Sequence, residues 1–249
     1  MIWIRRILIG LVALLLVAVI GFWSWATLGA QQPESLATAA LSGGDGVTYM
    51  MVNNEGYTLR PDESNGTGFI FYPGGLVTPE AYAAHLKPLA KLGYTVIVPN
   101  MPLNLAVFNM DAADQIIAEN PQIDRWVIGG HSLGGSMAAQ YTFNNADTID
   151  GLVLWASYPA EGANLSNYEI EAASIYGSLD GLALPDEILE SAALLPADTI
   201  FLEIDGGNHA QFGDYGEQSG DLPATISLVE QIDQTVQYTL ELLDLVESR

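Results

Sequence analysis

The sequence has no cysteine, only seven basic residues and only three histidines in 249 positions. Without cysteine there is no disulfide, no thiolate metal site and no thiol nucleophile, and the redox compartment stays open. Just two of the bases are lysines, Lys87 and Lys91, set against 30 acids, so the formal net charge is −23. A phosphate backbone is repelled by such a field, which excludes nucleic acid as a partner. The acidity fits first a well-solvated surface, with adaptation to salt as the sharper alternative. Disorder is excluded as well, since a hydrophobic content of 49% supports a packed core. The length fits one α/β domain and leaves little for a second, and no internal repeat or low-complexity tract is present.

Residues 7–28 contain no charged residue. As a helix at about 1.5 Å per residue they span about 33 Å, enough to cross a hydrocarbon layer. Arg5 and Arg6 precede the run, and the next base is Arg60. Positive-inside logic therefore puts the amino terminus in the cytoplasm and the main domain outside. Trp3, Trp23 and Trp25 flank the run as interface-seeking aromatics do. A cleaved signal peptide is the competing reading, but the run is longer than usual for one and Leu28-Gly29-Ala30 is a poor cleavage site. Residues 1–29 are thus expected to be a single-pass anchor, 30–46 a short tether, and 47–249 the working domain. Both readings export that domain.

After the tether, strand-like and helical runs alternate. Val47–Val52 and Tyr57–Arg60 suggest a hairpin around Asn53-Asn54-Glu55-Gly56. Strands are expected at Phe69–Tyr72, Thr95–Val98, Trp126–Gly129, Leu152–Ala156, Ile170–Tyr176 and Thr199–Ile204. Helices are expected over 79–92, 111–119, 133–145, 186–195 and 223–247. This alternation implies a mainly parallel sheet covered by helices on both faces, with chemistry at the carboxyl ends of the strands.

Gly130-His131-Ser132-Leu133-Gly134 lies where one such strand meets a helix. This is G-x-S-x-G in the setting that gives it meaning: a sharp turn lifts the serine hydroxyl above the sheet, beside a helix amino terminus. The bland alternative is a Gly-rich turn whose serine caps the helix. A hydroxyl needs a base. His85 falls beside Lys87 and Lys91 and is expected at the surface, while His131 precedes the serine and should point elsewhere, shaping the turn. His209, in the loop after Thr199–Ile204, is the base that can reach back. Asp180, ending Tyr176-Gly177-Ser178-Leu179-Asp180, is the carboxylate placed to orient it, ahead of Asp205, Asp186 and Asp214. The oxyanion donors are expected to be the N–H groups of Leu133 and Gly75, with Leu76 as alternative to Gly75.

Tyr72-Pro73-Gly74-Gly75, Pro99 through Phe108, Gly130 through Gly135, Tyr176 through Gly181 and Gly207 through Phe212 together resemble the α/β-hydrolase superfamily. Within it they resemble a small bacterial group near the dienelactone-hydrolase and carboxylesterase branch. The resemblance covers about residues 47–247 and implies the same roles: Ser132 as nucleophile, His209 as base, Asp180 as its partner. Dienelactone hydrolases use a cysteine nucleophile, so their substrate is not transferred to a chain without one.

Capped relatives insert a helical lid after the sixth strand, and residues 157–169 are too few to build it. The site should be shallow, lined by Leu103, Asn104 and Phe108, and by Phe212 and Tyr215 from the other side. The acidic stretch 213–221 lacks the spacing of a calcium loop, so no metal or other cofactor is expected. The expectation is a membrane-anchored serine hydrolase acting on a small-molecule carboxylic ester. An amidase or peptidase with the same triad, or a non-catalytic envelope binding protein on this scaffold, are the alternatives.

Overall fold

Buried runs rich in β-branched and aromatic residues form the strands, and the longest apolar run forms a helix that is exposed along most of its length. The structure is a computed structural model that describes residues 2–42, 44–51 and 56–248. Helix α1 (Ile2–Leu28) comes first, followed by α2 (Ser35–Ala40). The antiparallel pair β1 (Val47–Met51) and β2 (Gly56–Pro61) follows. Most of the expected hairpin turn, with Val52, lies outside the described residues. The chain then runs β3 (Thr67–Tyr72), α3 (Ala83–Lys91), β4 (Thr95–Pro99), α4 (Ala112–Glu119), β5 (Arg125–His131) and α5 (Leu133–Asn144). It closes with β6 (Gly151–Trp155), β7 (Glu171–Gly177), α6 (Pro185–Glu190), β8 (Ile200–Ile204) and α7 (Leu228–Glu247).

Among the described residues, eight strands make one sheet in the order β1-β2-β4-β3-β5-β6-β7-β8. β2 joins β4 antiparallel, and every pairing from β4 to β8 is parallel. Parallel strands need crossovers, and the helices that supply them cover both faces. One face packs Leu86 and Leu89 of α3 and Leu242, Leu243 and Val246 of α7 against Phe69, Phe71 and Trp155. The other packs Ala113 of α4 and Ala138, Ala139 and Tyr141 of α5 against Ile70, Ile128 and Leu152. The connection after β6 contains turns but no helix.

α7 begins at Leu228, later than the amphipathic pattern from 223 suggests. Ser227 and Glu230 form a capping box, with Glu230 N–H on Ser227 Oγ at 3.2 Å and Ser227 N–H on Glu230 Oε2 at 2.8 Å. That box sets the start, because it satisfies amide donors that a longer helix would leave inside.

α1 is, among the described residues, the one helix long and apolar enough to cross a membrane: Trp3–Leu28 has a mean hydropathy of 2.7, and none of that stretch's most apolar part is buried. Parts of the stretch 30–46, which composition suggests is a short tether, lie against the domain. Gln31 pairs with Val77 in a parallel bridge, and Ala37 of α2 is completely buried.

Candidate active site

The turn from β5 into α5 holds Ser132 at φ 52°, ψ −124°. A side chain is strained there, and such strain persists only where the surroundings over-determine it. They do. Ser132 N–H donates to Trp155 O at 3.0 Å, and Ser132 O accepts from Ser136 N–H at 3.1 Å and Ser157 Oγ at 2.6 Å. Glycine is required on both sides: a Cβ on Gly130 would lie 2.6 Å from Tyr72 O, and one on Gly134 would collide with the Tyr72 and Pro73 carbonyls. The Ser132 side chain makes no capping hydrogen bond to α5, so the bland reading of this turn as a serine cap does not hold. Among the described residues its hydroxyl serves no such cap.

Asp180 and His209 meet at the carboxyl ends of β7 and β8. His209 Nδ1 lies 2.9 Å from Asp180 Oδ2 and 3.1 Å from Oδ1, and each residue is 1% exposed. Asp180 Oδ1 also accepts the N–H groups of Leu182 at 2.8 Å and Ala183 at 2.7 Å, which fixes the carboxylate. Nδ1–H facing a carboxylate leaves Nε2 as the ring's proton acceptor. That Nε2 is buried and has no hydrogen-bond partner among the described residues, so the expected hydrogen bond to Ser132 is not formed. Contacts between base and nucleophile are commonly long in unliganded enzymes and tighten around substrate.

Four supporting residues escaped the sequence reading. Gln231 of α7 clamps the backbone of Asn208, accepting its N–H at 3.0 Å and donating to its carbonyl at 2.8 Å. Asp221 accepts Gly181 N–H at 2.9 Å and Ala210 N–H at 2.8 Å, tying the Asp180 loop to the His209 loop. Tyr82, within the run expected to be helical over 79–92, receives Gly74 N–H at 2.9 Å and lies 2.9 Å from His131 Nδ1. Asp214, weighed only as a rival to Asp180, is buried and accepts the N–H of Ala37.

His131 points away from solvent, its ring 4.5 Å from that of His209. Burial first, and then the neighbouring His209 and His85, push its pKa well below the usual histidine range. His131 is therefore neutral at ordinary pH. The expectation of a surface His85 is wrong. It is completely buried with Nε2 3.0 Å from Gln211 O, and burial lowers its pKa to about 4.

On the donor side, a Cβ on Gly75 would lie 3.3 Å from Leu133 Cδ2, so these two residues face each other. Leu76, the alternative donor, gives its N–H to Asn104 O at 2.7 Å. Leu103 is half-buried and Phe108 is 53% exposed at this lip. Asn104 turns its amide to Ala26 O at 3.2 Å rather than into a substrate pocket. Phe212 does not line a pocket either: it is fully buried, with its ring 5.9 Å from His131 and 6.4 Å from Trp155, because the short turn Ala210–Phe212 folds inward. Tyr215 is buried likewise. Among the described residues no group of three or more His, Asp or Glu side chains could hold a metal ion.

An eight-stranded, mainly parallel sheet with a strained serine after its central strand places the chain among hydrolases of α/β type. The model of the alpha/beta hydrolase family matches residues 68–233, and the chain belongs to that family. Among solved structures it is similar to a membrane phospholipase A described as a bacterial virulence factor, with a TM-score of 0.62 and 15% identity, covering 98% of this chain and 100% of that one. It is also similar to a predicted CIB-like hydrolase from Thermoplasma acidophilum, with a TM-score of 0.57 and 17% identity over 79% of this chain and 98% of that one. An alpha/beta hydrolase from the metagenome of lagoon sediments at Mar Chica, Morocco, gives a TM-score of 0.55 and 17% identity over 68% of this chain and 92% of that one. No curated protein matches the sequence.

Proposed function

We propose that the protein is a serine hydrolase that cleaves carboxylic esters through an acyl-enzyme. The observation that carries this reading is Ser132, whose backbone is strained and pinned from three sides while its hydroxyl caps nothing. In this reading Ser132 Oγ attacks the ester carbonyl as His209 Nε2 takes its proton. Asp180 keeps the ring in the right tautomer and stabilises the imidazolium. The N–H groups of Leu133 and Gly75 receive the oxyanion. Collapse expels the alcohol with the proton held by His209. Water then repeats the sequence on the acyl-enzyme, releasing the acid and restoring Ser132.

The apolar α1 and the likeness along nearly the whole chain to a membrane phospholipase A favour an acyl ester presented at a bilayer. Arg5 and Arg6 ahead of α1 favour an anchor with the domain outside the cytoplasm. The test is turnover of p-nitrophenyl butyrate by the full chain in detergent. Wild type should show a burst of nitrophenol, and Ser132→Ala should lose at least about a thousandfold in kcat. Equal turnover by a folded Ser132→Ala would overturn the reading.

A further inference from the structure

We propose that the segment Ala26 to Ala40 is part of the catalytic apparatus, a strap that positions both the Gly75 loop and the His209 loop. The proposal rests on the ester-hydrolase reading and deepens it, because it makes turnover depend on residues outside the triad.

The first anchoring is at Leu76. This leucine sits at φ 58°, a left-handed conformation that an L side chain resists. Both of its backbone groups are held: its carbonyl accepts Gln31 N–H at 2.7 Å, and its N–H donates to Asn104 O at 2.7 Å. Gln31 O in turn accepts Thr78 N–H at 3.1 Å, so the strap is held beside this loop by a parallel bridge to Val77. Asn104 is itself left-handed at φ 54° and ties back to the strap through its side chain, which donates to Ala26 O at 3.2 Å. Ala26 is completely buried although it belongs to α1. Gly75 is the immediate neighbour of Leu76. If Leu76 relaxed to an ordinary conformation, the chain direction would change and Gly75 would be carried away from Leu133.

The second anchoring is at Asp214, which follows the turn that His209 begins. Asp214 is 2% exposed; its Oδ2 accepts Ala37 N–H at 2.7 Å and its backbone carbonyl accepts Glu34 N–H at 2.8 Å. On the other side Asp214 N–H donates to Ala81 O at 2.8 Å. α2 has only six residues, too few to persist alone, so it exists because the domain holds it. One stretch of chain, continuous with α1, thus fastens both the donor loop and the base loop. Each fastening uses a hydrogen bond formed far along the sequence.

Positioning of this kind acts on the transition state more than on binding, so its loss should lower kcat and leave KM alone. The experiment uses the full chain in detergent micelles with p-nitrophenyl butyrate. Asn104→Gly keeps the left-handed backbone and removes the link to Ala26, whereas Asp214→Ala removes the acceptor for Ala37. Asp214→Asn retains an oxygen that can accept that N–H. The proposal expects kcat to fall about tenfold in Asn104→Gly and Asp214→Ala with KM within about twofold, and Asp214→Asn to stay within about threefold of wild type. Should Asp214→Ala fail to fold, Asn104→Gly alone decides. Wild-type kcat in a folded Asn104→Gly, or a change confined to KM, overturns the strap while leaving the esterase reading intact. A wild type that turns over no ester overturns the esterase reading first.

Discussion

Asp180 and His209 are both buried and bind each other, with His209 Nδ1 2.9 Å and 3.1 Å from the two carboxylate oxygens. The carboxylate is the larger constraint, because two backbone N–H groups fix Oδ1 independently of the histidine. Asp180→Asn keeps an oxygen for those amides but presents either an N–H or a weaker acceptor to Nδ1. The wrong tautomer then faces Ser132, and kcat should fall by about 10³ to 10⁴ with little change in folding stability. Single-turnover kinetics alongside urea denaturation checks both halves of this expectation.

Ser132 stores strain at φ 52°. Glycine adopts that conformation at no steric cost, whereas alanine keeps the Cβ that creates the strain. Ser132→Gly should therefore be more stable than Ser132→Ala by about 1 kcal/mol, after allowing for the extra freedom of glycine in the unfolded chain. Both variants should be inactive. An alanine variant at least as stable as the glycine variant would show that the turn is not strained.

The Tyr82 hydroxyl serves the Gly74 amide and the His131 ring together. Tyr82→Phe preserves the packing against Phe71 but leaves two buried polar groups unpaired. Each orphaned group costs about 1–3 kcal/mol, so the urea midpoint should drop clearly. A loss under about 0.5 kcal/mol would mean that the hydroxyl is not holding either group.

Acid should unfold the protein partly through its histidines. His85 and His131 are neutral in the fold because burial lowers both pKa values, to about 4 for His85 and well below the usual range for His131. Unfolded, each takes up a proton near its ordinary value. The unfolded state thus binds more protons below about pH 6.5, and stability falls as pH drops, by about 1.4 kcal/mol per unit for each histidine that remains neutral in the fold. For His85 the window closes near pH 4. Urea midpoints measured from pH 7 to pH 4 should decline, and His85→Gln should flatten that decline. An unchanged slope in the variant would remove His85 from the account.

Much of this was legible in the sequence, and what was missed has one physical origin. Periodicity and the flanking elements located the strands, and Gly130-His131-Ser132-Leu133-Gly134 between a strand and a helix located the turn. With three histidines available, eliminating two pointed to His209. The errors concern burial that depends on distant chain. His85 lies on the inward face of α3 with Leu86 and Leu89, yet the charges of Lys87 and Lys91 suggested a wet surface. Its burial is completed by Trp155 and by the Gln211 carbonyl, far along the chain. The stretch 30–46 read as a tether because its composition is small and polar, and its docking depends on Asp214, which is 177 residues from Ala37. Phe212 looked like pocket lining because it follows His209, and only the inward turn sends it behind the histidines. Gln231 carried no signal, since a glutamine on an amphipathic helix ordinarily faces water.

The most direct measurement is labelling of the full chain by a fluorophosphonate probe, followed by mass spectrometry of the modified peptide. An activated serine attacks phosphorus, and an unactivated one does not. The account predicts a single adduct on Ser132 in wild type, lost in Ser132→Ala and strongly slowed in Asp180→Asn. A folded wild type that takes no label, or one labelled at another residue, would contradict it.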